Sequence, residues 1–183
     1  MTELSTPRLR LRHWLPTDLA PFSELNADPL AMQFMPRPLS AEQSRAFATG
    51  AESALVAQGF GLWAVELSAS QEFVGCVGLN EPAFEAHFMP CMEVLWRLLP
   101  RHWGCGYATE AARACVAFAF EKLGRHEVVS FTVPANVRSR AMMERLGMRR
   151  EERDDFEHPR LSVEDPLRHH VLYRLPRNAA AAD

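Results

Sequence analysis

Residues 96–112 read W-R-L-L-P-R-H-W-G-C-G-Y-A-T-E-A-A, and they constrain this chain more than any other stretch. An apolar strand ends, a loop punctuated by two glycines follows, and a long helix opens directly behind it. Arg101, Gly104 and Gly106 make the pattern R-x-x-G-x-G. The first N–H groups of a helix have no intrahelical partner and the helix dipole is positive there, so the junction suits an anion. Glycines let the backbone approach a phosphate with no Cβ in the way. With an arginine at the head of the loop, a pyrophosphate is the ligand this arrangement holds best.

Two other phosphate motifs fit less well. Gly104-x-Gly106-x-x-Thr109 resembles a dinucleotide fingerprint, but that site also wants an acidic residue at the far end of the following strand. Here that strand ends in Val133-Pro134, with Glu127 at its start. G-x-x-x-x-G-K-[ST] is absent from the sequence.

Read from the N-terminus, Arg8-Leu9-Arg10-Leu11-Arg12 alternates as a strand, with the leucines facing a core and the arginines facing solvent. Pro16-Thr17-Asp18 starts a helix to about Asn26, with Thr17 or Asp18 near its cap. Ser40 and Gln43 form a capping box for a second helix to about Ala57, stopped at Gln58-Gly59. Strands are predicted over 61–67 and 72–79. A loop over 81–90 leads to the strand 91–99 that feeds the glycine motif. The helix over 107–123 is apolar on nearly every face and should be buried. A strand over 128–133, a short helix over 138–146 closed by Gly147, a strand near Met148 and a closing strand over 170–175 complete the chain. The whole, 1–183, reads as one domain with a core over about 6–175 and a flexible tail over 176–183.

The R-x-x-G-x-G loop resembles the acyl-CoA-binding motif of the GCN5-related N-acetyltransferases, and W-G-x-G-Y-A-T-E-A is similar to the branch that includes the ribosomal-protein N-terminal acetyltransferases. Asn136-x-x-Ser139 with Glu144-Arg145-Leu146-Gly147-Met148 resembles that family's second signature. The resemblance implies an α/β fold of α+β type: a mixed, mostly antiparallel central sheet, helices on both faces, and a splayed parallel strand pair. It implies acetyl-CoA as cosubstrate, held by Arg97, Leu98, Leu99, Arg101, His102, Trp103, Gly104, Cys105, Gly106 and Tyr107, with Asn136 near the pantetheine arm and Ser139 near the sulfur. It implies acetyl transfer to a primary amine by direct transfer in a ternary complex.

The amine arrives mostly as an ammonium, so a base is needed. Glu93 stands where the resembled pattern has its glutamate, in Glu93-Val94-Leu95-Trp96. Glu110 is the rival, one turn into the motif helix, where it also complements the dipole. Many family members carry a tyrosine that protonates the leaving thiolate; this chain has Met143 there, which cannot donate a proton. That role falls to Ser139 or water. Cys105 lines the loop rather than carrying the acetyl group. Within 154–168, Phe156 and His158 are candidates to meet the acceptor.

Composition excludes some functions. A net charge of −3 over 183 residues argues against a general nucleic-acid binder. Lys122 is the one lysine among 20 basic residues, which argues against a catalytic lysine. The four cysteines have no zinc spacing, adjacent histidines at 169 and 170 face opposite ways on a strand, and no metal is expected. No apolar run approaches the ~18 residues that span a bilayer. The chain reads as cytoplasmic, without a membrane or nucleic-acid partner, and as a monomer or homodimer. The acceptor, a protein N-terminus or a small-molecule amine, stays open. So does a non-catalytic acyl-CoA-binding or sensing module.

Overall fold

The computed structural model describes residues 2–178. These fall into two compact units, 2–79 with 95–115, and 80–94 with 116–178.

The first unit is built on an antiparallel run of β1 (Leu4–Ser5), β2 (Leu9–Arg12), β3 (Leu62–Leu67) and β4 (Phe73–Asn80), most of which lies in this unit. Leu9 opposes Leu67 and Leu11 opposes Val65, and both leucines are fully buried. Each such side chain contributes roughly 1.5–3 kcal/mol of burial. The alternation in 8–12 holds for these leucines and for exposed Arg10, but not for Arg12, which is buried. Its guanidinium forks onto both carboxylate oxygens of Asp18 (2.7 and 2.9 Å) and bonds Glu66. The expected solvent-facing arginine is therefore the centre of an internal ion network.

Asp18 is correspondingly no simple helix cap. Pro16–Asp18 forms a 3-10 turn, and the Asp18 carboxylate accepts from Leu15 N–H at 2.7 Å before α1 (Leu19–Ala27) begins. The second helix, α2 (Ala41–Gln58), carries the expected capping box of Ser40 and Gln43 and ends at Gly59, which has a left-handed conformation.

β5 (Glu93–Leu98) passes from the second unit into the first, and α3 (Tyr107–Glu121) returns the chain. α3 is less uniformly buried than its composition implies. Ala111, Ala112, Cys115, Ala119 and Phe120 are buried, whereas Arg113 and Ala117 are exposed.

In the second unit β6 (Glu127–Thr132) lies parallel to the start of β5, Glu93 opposing Val129, and Val129 N–H donates to the Met92 carbonyl at 2.8 Å. β9 (His169–Pro176) runs antiparallel to β6 along its whole length and carries β7 (Arg149–Arg150) and β8 (Phe156–Glu157). The sheet is thus mostly antiparallel with one parallel pair. The closing strand is longer than its sequence suggests. Pro176 pairs with Glu127, and Arg177 N–H reaches the His126 carbonyl. The remainder of the expected tail, 179–183, lies outside the described residues. α4 (Val137–Arg145) closes the set. The core here gathers Phe88, Val129, Phe156 and Leu172, with Phe84 and Phe131 packed against it.

Candidate functional site

In the first unit the glycine loop has the backbone its sequence demands. Gly104 and Gly106 have φ of 77° and 79°, a region where a side chain is strained. A Cβ on Gly104 would meet nothing within 4 Å, so the main chain lies open there. Gly104, Cys105 and Gly106 are all exposed, and α3 starts at Tyr107. Exposed main-chain N–H groups at the dipole-positive end of a 15-residue helix fit a phosphate.

The other residues of this stretch are braced from within. Trp103 donates its indole N–H to the Leu98 carbonyl (2.8 Å), and Leu99 N–H is taken by the Val74 carbonyl (3.0 Å). Arg97 turns to Asn26 Oδ1 (2.5 Å) and lies over the Phe47 ring. His102 is buried, with Nε2 3.1 Å from Glu72. Arg101, at the motif's head, is exposed and held by Glu24 (2.8 Å).

Arg8, read from the alternation as a solvated residue, belongs to this loop. Its Nη1 donates to the Cys105 carbonyl (3.0 Å), and its guanidinium sits 4.7 Å from the Tyr107 ring centre. Glu110 anchors it. One carboxylate oxygen accepts from Thr6 Oγ1 (2.6 Å) and Arg8 N–H (2.9 Å), the other from Arg8 Nε (2.6 Å). Burial works against that charge, but the bonds from Thr6 and Arg8 outweigh it and hold the carboxyl below its ordinary value. Glu110, the rival base, is a clasp between the N-terminal strand and the loop.

In the second unit Glu93 is buried at the wall of a pocket of about 330 Å³. Burial pushes its carboxyl up to about 7, against a lowering by the single bond it accepts from Asn80 Nδ2 (3.1 Å). A carboxyl poised near neutrality can take and release a proton at physiological pH. Phe84, Phe131, His158 and Arg160 face the same pocket. His158, a candidate to meet the acceptor, is among its lining residues. Phe156 instead packs into the core, stacked 6.1 Å from the Phe84 ring. Asn80 and Arg160 carry no signal in the sequence, because each gains its place from residues far along the chain.

Asn136 caps α4: its carboxamide oxygen accepts from Ser139 N–H (3.2 Å) and its nitrogen donates to Thr132 Oγ1 (3.0 Å). Both ends of the side chain are therefore in use. The Ser139 hydroxyl makes no hydrogen bond among the described residues. Met143 is fully buried, a core residue at the position where a tyrosine is common in the resembled family. Among the described residues no group of three or more His, Cys, Asp or Glu could hold a metal ion, and no helix is long and apolar enough to cross a membrane.

Comparison with known proteins bears on the fold and on the family. The family model described as "Acetyltransferase (GNAT) domain" matches residues 8–149. The Bacillus subtilis protein YkkB is 32% identical over 148 residues, covering 80% of this chain and 85% of YkkB. The solved structure of RimL, a ribosomal-protein alpha-N-acetyltransferase in complex with coenzyme A, superposes with a TM-score of 0.76 at 16% identity, over 97% of this chain and 99% of that one. The spermidine N-acetyltransferase of Vibrio cholerae, solved with CoA and spermine, gives 0.73 at 16% identity, over 96% and 99%.

Proposed function

The chain belongs to the GNAT acetyltransferase family, and we propose that it moves an acetyl group from acetyl-CoA to a primary amine by direct transfer in a ternary complex, as a single acyltransferase domain. The observation that carries this reading is the Glu93 carboxyl, buried, raised to about 7 and set in a pocket beside Asn80.

In this reading the main chain of Gly104, Cys105 and Gly106, with Arg101 and Tyr107, receives the pyrophosphate, and Arg8 supplies a second cation. Asn136 and Ser139 lie along the pantetheine arm. Glu93 accepts a proton from the incoming ammonium. The amine nitrogen then attacks the thioester carbonyl carbon, the C–N bond forms and the C–S bond breaks. The leaving sulfur takes a proton from the Ser139 hydroxyl or from water, since Met143 has none to give, and the second proton shed by the acylated nitrogen replaces the one given up. The folds of a protein N-terminal acetyltransferase and a spermidine acetyltransferase both superpose on this one. The acceptor therefore has to be read from the pocket rather than from the fold.

The test is release of CoA thiol from acetyl-CoA with a panel of primary amines, with the product identified by mass. Turnover with an N-acetylated product supports the enzyme. Tight acetyl-CoA binding with no thiol release for any amine would favour the acyl-CoA-binding or sensing module instead.

A further inference from the structure

The pocket beside Glu93 has an uneven charge distribution. Two carboxyl groups line it, Glu93 and Glu81, but Glu81 is already paired with Arg125. The remaining charge on the wall is a cation. Arg160 donates from Nη2 to the Ala83 carbonyl (2.6 Å) and lies 6.0 Å from the Phe84 ring centre. Among the described residues it has no carboxylate partner. A guanidinium has five N–H donors in a planar fork, so one bond to a carbonyl leaves a carboxylate-sized set unfilled. Phe84 and Phe131 supply flat apolar wall with ring centres 6.0 Å apart. Burial, and then the charge of Arg160, hold the His158 imidazole below its ordinary pKa, so it adds little positive charge and completes an aromatic surface.

We propose that Arg160 reads a carboxylate on the acceptor, so that the substrate class is a primary amine carrying both a carboxylate and an apolar or aromatic body. The amine goes to Glu93, the body lies against Phe84 and Phe131, and the carboxylate forks onto Arg160. A polyamine fits this wall poorly. Its second ammonium finds no unpaired carboxylate other than Glu93 and meets the Arg160 charge instead. This inference rests on the acetyl-transfer reading above and narrows it.

The experiment uses matched amines: 4-(aminomethyl)benzoate against benzylamine, phenylalanine against phenethylamine, and spermidine as the polycation. Thiol release is measured for the wild type, Arg160→Ala and Arg160→Lys. In the wild type the better carboxylate compound should exceed its neutral partner in kcat/KM by roughly 10- to 100-fold, the range of a charge-assisted hydrogen bond. Arg160→Ala should bring that ratio near one, by raising KM for the carboxylate compound far more than for its neutral partner. Arg160→Lys should restore part of the preference. A wild type that prefers spermidine or the neutral amines overturns the proposal, as does a ratio that survives Arg160→Ala. Calorimetric binding of 4-(aminomethyl)benzoate to the same proteins separates the two readings. Arg160-dependent binding without thiol release would sink the transfer reading and leave the recognition by Arg160 standing.

Discussion

The Asn80 carboxamide holds Glu93 Oε2 at 3.1 Å in a site where the carboxyl has been taken out of water. The two effects oppose each other, and burial wins, leaving the carboxyl at about 7 rather than 4.5. As a base Glu93 must be ionised, so kcat/KM should rise with pH through about 7. Glu93→Gln should lower kcat by ~10²–10⁴-fold and remove that limb, with acetyl-CoA affinity nearly unchanged. Folding carries a second signature. Between 4.5 and about 7 the native state holds a proton that the unfolded chain has released, so stability falls as pH rises across this window. The loss is on the order of 3 kcal/mol. Glu93→Gln should therefore melt higher than the wild type at pH 8 and alike near pH 4. An unmoved acidic limb in the pH–rate profile would take the base role away from Glu93.

The clasp of Glu110 on Arg8 leads to the opposite expectation for the rival carboxylate. Glu110→Gln keeps one acceptor for Thr6 and Arg8 but loses the charge that fixes the guanidinium. Acetyl-CoA should bind more weakly, about 5- to 10-fold in KM, consistent with a partly exposed ion pair worth about 1 kcal/mol. The acidic limb should stay where it is. Arg8→Ala should give the same KM effect or a larger one. If Glu110→Gln instead abolished the limb and spared KM, the roles of the two glutamates would have to be exchanged.

These two glutamates also mark how far the sequence could be read. The glycine loop was legible because it is local: two glycines, one helix start and one arginine lie within a few residues, and φ of 77° and 79° follows from the residue type. The Ser40–Gln43 capping box was legible for the same reason. Arg8 and Arg12 were not. They share one alternating stretch of sequence and one residue type, and the difference between them lies in their partners, Glu110 for one and Asp18 and Glu66 for the other. Asn80 and Arg160 were silent on the same grounds, since a pocket wall is assembled from chain segments whose pairing no periodicity announces.

Arg12 offers a test that concerns stability alone. Burial disfavours its charge, but the bonds with Asp18 and Glu66 outweigh that cost and raise its pKa. Removing one member of a buried network strands the others without compensation, typically at 3–5 kcal/mol. Arg12→Ala should destabilise by about that amount in urea denaturation, and Arg10→Ala, an exposed residue two positions earlier on the same strand, by less than about 1 kcal/mol. Equal effects would mean that the Arg12 network adds nothing beyond a surface pair.

Cys105 invites a different chemistry, a ping-pong route through an S-acetyl enzyme. It is exposed, lies between the two loop glycines, and directs Sγ 3.6 Å from the Trp103 carbonyl. The other three cysteines are poor nucleophiles: burial pushes the Cys76 thiol up to about 11 and Cys91 up to about 12, and raises Cys115 as well. Two features oppose Cys105. The side chain that could activate it, His102, is buried against Glu72. And a loop that receives the pyrophosphate places Cys105 at the phosphate end of CoA, with an extended pantetheine arm carrying the thioester well over ~10 Å away, against the ~3–3.5 Å that attack requires. Cys105→Ser should therefore retain most of its kcat. Intact-mass spectrometry after incubation with acetyl-CoA alone should find no stoichiometric gain of one acetyl group. A serine variant without activity, together with a stable acetyl-enzyme in the wild type, would replace direct transfer by the two-step route.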